Sequence, residues 1–163
     1  MESISDPESA REYVAFISYA HEDTKWAKWL ARALESYRLP ASVVTRHGRL
    51  SRKLGVVYRD DDESRASRSL SEELSRALKA SRNLIVICSP ASAKSEWVNE
   101  EVKQFEATHG PDKTFCVIVD GVTCASKIEA EDAARECLPA ALLRRLGSDV
   151  SKNVPLAPDV RRN

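Results

Sequence analysis

The chain has 163 residues, of which 42% are hydrophobic and 31% charged, a composition typical of a folded globular domain. Its 25 basic and 25 acidic residues cancel, so no overall positive field indicates nucleic acid or an anionic membrane as a direct partner. No apolar run approaches the roughly 20 residues of a membrane span, and residues 1–11 lack the apolar core of a signal peptide. These features predict one cytoplasmic domain.

The four cysteines do not form a metal-binding or disulfide pattern. Cys88 and Cys116 lie inside apolar runs and are predicted to be buried as small hydrophobic side chains. Cys124 and Cys137 are too far apart for a metal knuckle, and no C-x-x-C motif occurs. This usage is typical of a reducing compartment.

The first part of the chain predicts a strand, a helix, a connection and a second strand. Tyr13–Tyr19 is an apolar and aromatic run that indicates a strand buried on both faces. Asp23 or Thr24 is expected to cap the following helix. One face of that helix is predicted to carry Trp26, Leu30, Ala33 and Tyr37. Arg38–Gly55 is a basic connection without clear periodicity, and Val56–Tyr58 is a short second strand.

Further elements alternate in the same way. Ser69-Leu-Ser-Glu72 is a capping-box pattern that opens a helix. The inward positions of that helix are Leu70, Leu74, Ala77, Leu78 and Ser81. Asn83–Cys88 and Phe115–Val119 are predicted as the third and fourth strands. The remaining predicted elements are a helix over Leu138–Leu146 with Gly147 as its stop, and a short fifth strand over Val154–Leu156.

Alternating strands and helices favour a mostly parallel α/β sheet with crossover helices on both faces. Ligands of such sheets bind beyond the carboxyl ends of the strands. The segments there are 18–23, 59–65, 89–97 and 120 onward. These four segments border the edge where a ligand is expected.

The segment after the third strand contains a pair of adjacent glutamates. Val98, Val102 and Phe105 recur at helical spacing and form a buried stripe. At about 100° per residue, Glu101 lies roughly 70° from the centre of that stripe, and Glu100 lies roughly opposite it. Glu101 is thus predicted at the margin of the core, one turn after Trp97. A carboxylate beside an aromatic ring at this edge is a candidate catalytic group.

Four segments, in the right order, resemble the TIR (Toll/interleukin receptor) domain family. Ala15–Asp23 resembles its first box, and Tyr58–Asp62 stands where the family has its BB loop. Asn83–Pro90 resembles its third strand, and Ser95–Glu101 resembles the Ser-x-Trp-x-x-x-Glu segment of members that cleave NAD. The resemblance implies a single flavodoxin-like TIR domain at residues 13–157. Residues 1–12 and 158–163 are then polar tails, the second leading into a missing helix or further domain.

The resemblance also implies an activity. NAD-cleaving members break the bond between nicotinamide and ribose, and their catalytic glutamate corresponds to Glu101. The implied substrate-binding residues are Ser18, Tyr19, His21, Arg59, Asp60, Ser89 and Trp97. NAD+ is the substrate, and no cofactor or metal is expected. The products are nicotinamide with ADP-ribose or a cyclic isomer, and the sequence leaves that choice open.

The resemblance is to bacterial members in particular, which implies activation by self-assembly in bacterial immunity, antiphage defence included. Additional domains or a sensor outside this chain are expected partners. The alternative is a non-catalytic module that signals by homotypic assembly. A phosphoacceptor receiver domain is excluded, because the third strand ends in Cys88-Ser89-Pro90 and not in an aspartate.

Several candidate residues keep a simpler interpretation. Trp97 either contacts NAD or only holds its helix against the strand. His21 has no identifiable partner and is expected in a solvated loop. Asp60, Asp61 and Asp62 could in principle hold Mg²⁺ or Ca²⁺, but they lack the spacing of a calcium loop, and a solvated turn is favoured. The basic connection (Arg46, His47, Arg49, Arg52 and Lys53) is expected to be solvated as well.

Overall fold

Four parallel strands form the centre of the fold. The computed structural model describes residues 12–47, 51–59, 72–124, 130–146 and 158–161. Its strands are β1 (Ala15–Ser18), β2 (Val57–Arg59), β3 (Leu84–Cys88) and β4 (Thr114–Ile118). They lie in the order β2-β1-β3-β4, and all three neighbouring pairs are parallel. The predicted parallel α/β architecture is confirmed. The strand order reverses between β1 and β3, which makes that boundary the topological switch point.

Helices connect the strands and cover both faces of the sheet. They are α1 (Thr24–Ser36), α2 (Ala41–His47), α3 (Glu72–Lys79), α4 (Pro90–Lys94), α5 (Glu96–His109) and α6 (Ala140–Leu146). Within the described ranges, three 3-10 segments accompany them, at His21–Asp23, Pro111–Lys113 and Ala130–Arg135. Capping residues explain where α5 begins and ends. Ser95 Oγ accepts a hydrogen bond from Val98 N at the start, and Gly110 adopts a φ of 80° at the stop.

The core consists of two clusters, one on each face of the sheet. Phe16 and Val86 belong to the larger cluster, which packs beneath α3, α5 and α6. Ile17 and Ile87 belong to the smaller cluster, which packs beneath α1. Alternate residues of each strand therefore point to opposite faces. This alternation determines which helix each strand side chain can reach.

The buried face of α1 differs from the predicted one. Ala33 is exposed, and Tyr37 lies beyond the helix end with 50% of its surface exposed. The buried positions are Ala27 and Ala31. These small side chains let the helix backbone approach the sheet closely, whereas the larger Trp26 and Leu30 lie at the margin and are partly buried.

Other differences concern short helices and element ends. The connection predicted without periodicity contains α2, and α4 precedes α5 as a separate helix after β3. The predicted strand bounds are shifted by one or two residues, because hydrogen bonding and not hydrophobicity ends a strand. The Asp23 side chain makes no capping hydrogen bond to α1. Asp23 nevertheless occupies the N-cap position of α1, as predicted.

Some predictions lie outside the described residues. They are the capping box at Ser69, the inward position of Leu70, the stop at Gly147 and the fifth strand over Val154–Leu156. In the described residues 158–161, Pro158 O accepts a hydrogen bond from Ile118 N at 3.0 Å, and Val160 N donates to Ile118 O at 3.0 Å. Residues 158–160 therefore pair in parallel with the outer edge of β4.

All four cysteines are free and buried, and all four belong to the core cluster beneath α5. The buried positions predicted for Cys88 and Cys116 are confirmed. None of the helices in the described ranges has the length and apolar character needed to cross a membrane.

Candidate active site

Helical geometry separates the two adjacent glutamates as predicted. Glu100 is exposed, and its Oε1 pairs with Lys103 Nζ at 2.5 Å on the surface of α5. Glu101 points to the other side and keeps only 1% of its surface exposed. It therefore lies inside the core, deeper than the margin that the sequence predicted. Glu101 is more deeply buried than predicted because Ser18, the last residue of β1, contacts its carboxylate.

Ser18 binds the Glu101 carboxylate directly. Its Oγ donates a hydrogen bond to Glu101 Oε2 at 2.5 Å. Ser18 is the last residue of β1 and is fully buried. A hydroxyl that donates to a carboxylate in a buried environment forms a strong, charge-assisted hydrogen bond. Ser18 thus fixes the carboxylate at the carboxyl end of β1, beside the switch point.

A second serine and carboxylate form a similar pair on the other side of β3. Ser89 Oγ donates to Asp23 Oδ2 at 2.5 Å. Ser89 also opens α4 through a reciprocal capping box, in which Ser92 N donates to Ser89 Oγ at 3.1 Å and Ser89 N donates to Ser92 Oγ at 2.9 Å. Both hydrogen-bonding roles of the Ser89 hydroxyl are therefore filled by the protein itself.

Burial raises the pKa of the Asp23 carboxyl above its ordinary value. The hydrogen bond from Ser89 and the charge of Lys25 lower that pKa, whereas the negative charges of Glu22 and Asp120 raise it. Asp23 keeps only 7% of its surface exposed, so the loss of hydration is the largest effect. The carboxyl edge of the sheet thus carries two buried carboxyl groups.

The remaining predicted binding residues lie at varied positions. Tyr19 is 4% exposed and belongs to the core cluster beneath α1, on the face opposite Glu101. His21 is exposed in the turn after β1, as predicted, and Arg59 is half-buried at the end of β2. Asp60 lies outside the described residues, with Asp61 and Asp62. Within the described ranges, no three histidine, cysteine or acidic side chains gather as metal ligands.

Trp97 is half-buried on the first turn of α5. In the described part of the chain, it is not among the side chains packed against either core cluster. A tryptophan that held α5 against the sheet would belong to one of those clusters. The ring therefore lies outside both core clusters of the described residues.

The structure brings together Ser18 with Glu101, and Ser89 with Asp23. Sequence reasoning named three of these residues as site residues and treated Asp23 only as a helix cap. The available signal was its place in segment 18–23, at the carboxyl edge, within the acidic turn that follows the first strand. Because a capping role already explained Asp23, its possible role in the site was not considered.

Comparison with known proteins identifies the family of this chain. The TIR domain family matches residues 15–145, which include the whole sheet and both serine–carboxylate pairs. The chain belongs to the TIR domain family. The resemblance of its four boxes is confirmed by that match.

A curated relative carries an enzymatic name. ApTIR of Actinoplanes sp. (strain ATCC 31044 / CBS 674.73 / SE50/110), an NAD(+) hydrolase, is 31% identical over 110 residues. The match covers 67% of this TIR chain and 14% of the relative. The chain therefore spans only a small part of the length of that protein.

Solved TIR domains are also similar. The TIR domains of the activated Roq1 resistosome match with 23% identity and a TM-score of 0.48, covering 76% of this chain and 66% of that one. The TIR domain of the Toll-related receptor TRR-2 from Hydra magnipapillata matches with 14% identity and a TM-score of 0.47, covering 89% and 83%.

Proposed function

We propose that this TIR domain cleaves the bond between nicotinamide and ribose in NAD+, with Glu101 as the catalytic carboxylate. NAD+ is the substrate in this proposal, and no further cofactor takes part. The observation that carries the proposal is the position of Glu101, bound by Ser18 at the carboxyl end of β1. The 31% identity to an NAD(+) hydrolase supports the same activity.

The chemistry needs one well-placed negative charge. As the glycosidic bond breaks, positive charge develops on the ribose, and nicotinamide leaves as a neutral amine. A fixed carboxylate beneath the ribose stabilises that oxocarbenium-like transition state and accepts hydrogen bonds from ribose hydroxyls. Because Ser18 already orients Glu101, the carboxylate itself needs little reorientation once a ribose lies beside it.

The product depends on which nucleophile captures the cation. Attack by water gives nicotinamide, ADP-ribose and a proton. Attack by another atom of the same ADP-ribose unit gives nicotinamide, a cyclic isomer and a proton. Both reactions use the same carboxylate, and the water content of the pocket determines the outcome.

The burial of Glu101 has a consequence for activation. With 1% of its surface exposed, the carboxylate reaches a ribose only after the surrounding residues move. We expect self-association to supply that change, so that the protein is weakly active at low concentration. The same burial favours a second candidate function, a non-catalytic module that signals by homotypic assembly and uses Glu101 only as a buried acceptor for Ser18.

Nicotinamide release from NAD+ separates these two functions. Wild type, Glu101→Gln and Glu100→Gln proteins would be assayed at low and high protein concentration, with and without a crowding agent that promotes assembly. We expect turnover that rises more than linearly with concentration, a loss of at least about a hundredfold in Glu101→Gln, and wild-type turnover in Glu100→Gln.

Glu100→Gln is a matched control, because Glu100 lies on the same turn of α5 and is exposed. Equal turnover in wild type and Glu101→Gln would refute the assignment of the catalytic group. Absence of turnover in every assembled form would favour the non-catalytic module.

A further inference from the structure

Asp23 has no part in the reaction as proposed above, yet its carboxylate accepts a hydrogen bond from a serine, as that of Glu101 does. Asp23 is the N-cap residue of α1, but its side chain makes no capping hydrogen bond. Its Oδ2 accepts the hydrogen bond from Ser89. Among the described residues, none donates to its other oxygen, Oδ1. One oxygen of a nearly buried carboxylate is therefore held by the protein, and the other is available.

The two serine–carboxylate pairs lie at one edge of the sheet but on different faces. Ser18 follows Phe16 on the side of α5, because alternate strand residues share a face. Ser89 follows Ile87 on the side of α1 by the same alternation. In the register, Ser18 is level with Val86, so Ser89 lies three residues further on, roughly 10 Å along β3.

A single ligand that contacts both carboxylates must therefore cross the edge of the sheet at the switch point. A dinucleotide has the required shape, since it carries two riboses joined by a pyrophosphate. Open α/β sheets bind such ligands at this position, and a carboxylate that accepts from ribose hydroxyls is a common device in them. If one ribose lies at Glu101, the other can reach the opposite face.

We propose that Asp23 Oδ1 accepts hydrogen bonds from hydroxyls of the ribose farther from the cleaved bond of NAD+, while Ser89 holds Oδ2. This inference rests on the proposed function, because it uses the same substrate in the same site. Asp23 is then a binding residue, and Ser89 is its positioning residue. The pKa of Asp23 is raised mainly because burial removes water from its carboxylate, as is common at functional sites.

Binding measured without turnover gives the decisive test. NAD+ would be titrated calorimetrically into assembled Glu101→Gln protein, alone and combined with Asp23→Asn. Asparagine can still accept from Ser89 but lacks the charge. We expect affinity to fall at least about tenfold, the effect of losing a hydrogen bond to a charged group. Glu22→Gln, at an exposed neighbouring carboxylate, should leave the affinity unchanged.

An analogue makes the test specific to the ribose. NAD+ that lacks both hydroxyls of the adenosine ribose should bind Glu101→Gln protein about tenfold more weakly than NAD+ does. It should lose nothing further when Asp23→Asn is added, because the interacting partner is already absent. Additive losses, or equal NAD+ affinity in the two proteins, would overturn the proposal.

The outcomes distinguish this proposal from the activity. If NAD+ binding depends on Asp23 but the wild type shows no turnover, the ribose contact is supported and the proposed enzymatic activity is refuted. If the wild type turns over NAD+ but Asp23→Asn leaves the affinity unchanged, the activity is supported and the ribose contact is refuted. No binding to any assembled form would overturn both. Ser89→Ala is the second variant, and it should weaken NAD+ binding less than Asp23→Asn, since the carboxylate remains.

Discussion

Asn99 Oδ1 accepts a hydrogen bond from Ala141 N at 2.9 Å and thereby connects α5 to the first turn of α6. The same side chain donates through Nδ2 to Ser95 O at 2.9 Å. Asn99 lies two residues before Glu101, so it ties the helix that presents the catalytic candidate to its neighbour.

Asn99→Ala is expected to destabilise the fold by about 1 kcal/mol, the usual cost of removing an acceptor from a helix N-terminus. Urea unfolding would measure it. Asn99→Asp keeps the acceptor for Ala141 N and adds a favourable charge at that N-terminus, but its second carboxylate oxygen cannot replace the Nδ2 donor to Ser95 O. Unchanged stability in Asn99→Ala would contradict the capping role.

Ser18→Ala should lower both activity and stability. The buried Glu101 carboxylate loses a hydrogen bond, which costs about 1–3 kcal/mol of unfolding free energy, and its orientation is no longer fixed. We expect nicotinamide release to fall roughly tenfold or more. Ser81→Ala is the matched control, since Ser81 is equally buried but donates at 2.8 Å to Ala77 O in the preceding helix α3.

The Ser81 variant should lose stability without a selective loss of turnover per folded molecule. If the two variants lose activity only in proportion to their unfolded fractions, Ser18 has no positioning role.

Gly121 is required by both conformation and space. Its φ is +85°, and a Cβ there would lie 2.7 Å from Arg135 O and 2.8 Å from Cys137 Cβ. Gly121→Ala should therefore destabilise the fold by about 2–5 kcal/mol, the sum of backbone strain and overpacking. Thermal and urea unfolding would measure this.

Gly110 separates those two costs. Its φ is +80°, but nothing lies within 4 Å of the added Cβ. Gly110→Ala should cost about 1–3 kcal/mol, from the strained positive-φ backbone alone. Equal losses at the two glycines would show that the contacts around Gly121 relax without cost.

Asp23 and Asp159 predict opposite effects of pH on stability. The pKa of Asp23 in the folded state is raised above 3.8, so its contribution to stability is present below pH 3.8 and is lost as the pH rises through that raised value. The pKa of Asp159 is lowered from 3.8 to about 2 by its pairing with Arg161. Its contribution is present above pH 3.8 and is lost as the pH falls toward 2.

Unfolding free energies measured from pH 2 to pH 7 would check both signs. Relative to wild type, the unfolding free energy of Asp23→Asn should increase as the pH rises above 3.8. The unfolding free energy of Asp159→Asn, relative to wild type, should decrease as the pH rises from about 2 to 3.8. A pH-independent difference for Asp23→Asn would contradict the raised pKa.

Local periodicity predicted the parts of the fold that depend on neighbouring residues in sequence. The buried run of β3 and the separation of Glu100 from Glu101 follow from spacing alone. The face of α1 could not be predicted in this way, because Trp26 and Leu30 form an apolar stripe as convincing as that of Ala27 and Ala31. Only the close approach of the sheet selects the smaller side chains.

The site depends on contacts that sequence spacing does not contain. Ser18 and Glu101 are 83 residues apart, and Ser89 and Asp23 are 66 apart. Which serine meets which carboxylate is determined by the strand order and by the face to which each side chain points. Sequence reasoning could place all four residues at the carboxyl edge, but it could not pair them.

The buried cysteines provide an internal reporter of core opening. All four thiols belong to the cluster beneath α5, and burial raises the pKa of Cys137 to about 12. Thiolates, which are the reactive species, are therefore scarce in the native state. Labelling by a thiol reagent then proceeds only through molecules whose core has opened. Its rate, followed as the protein assembles, would reveal whether the region around Glu101 loosens when chains associate.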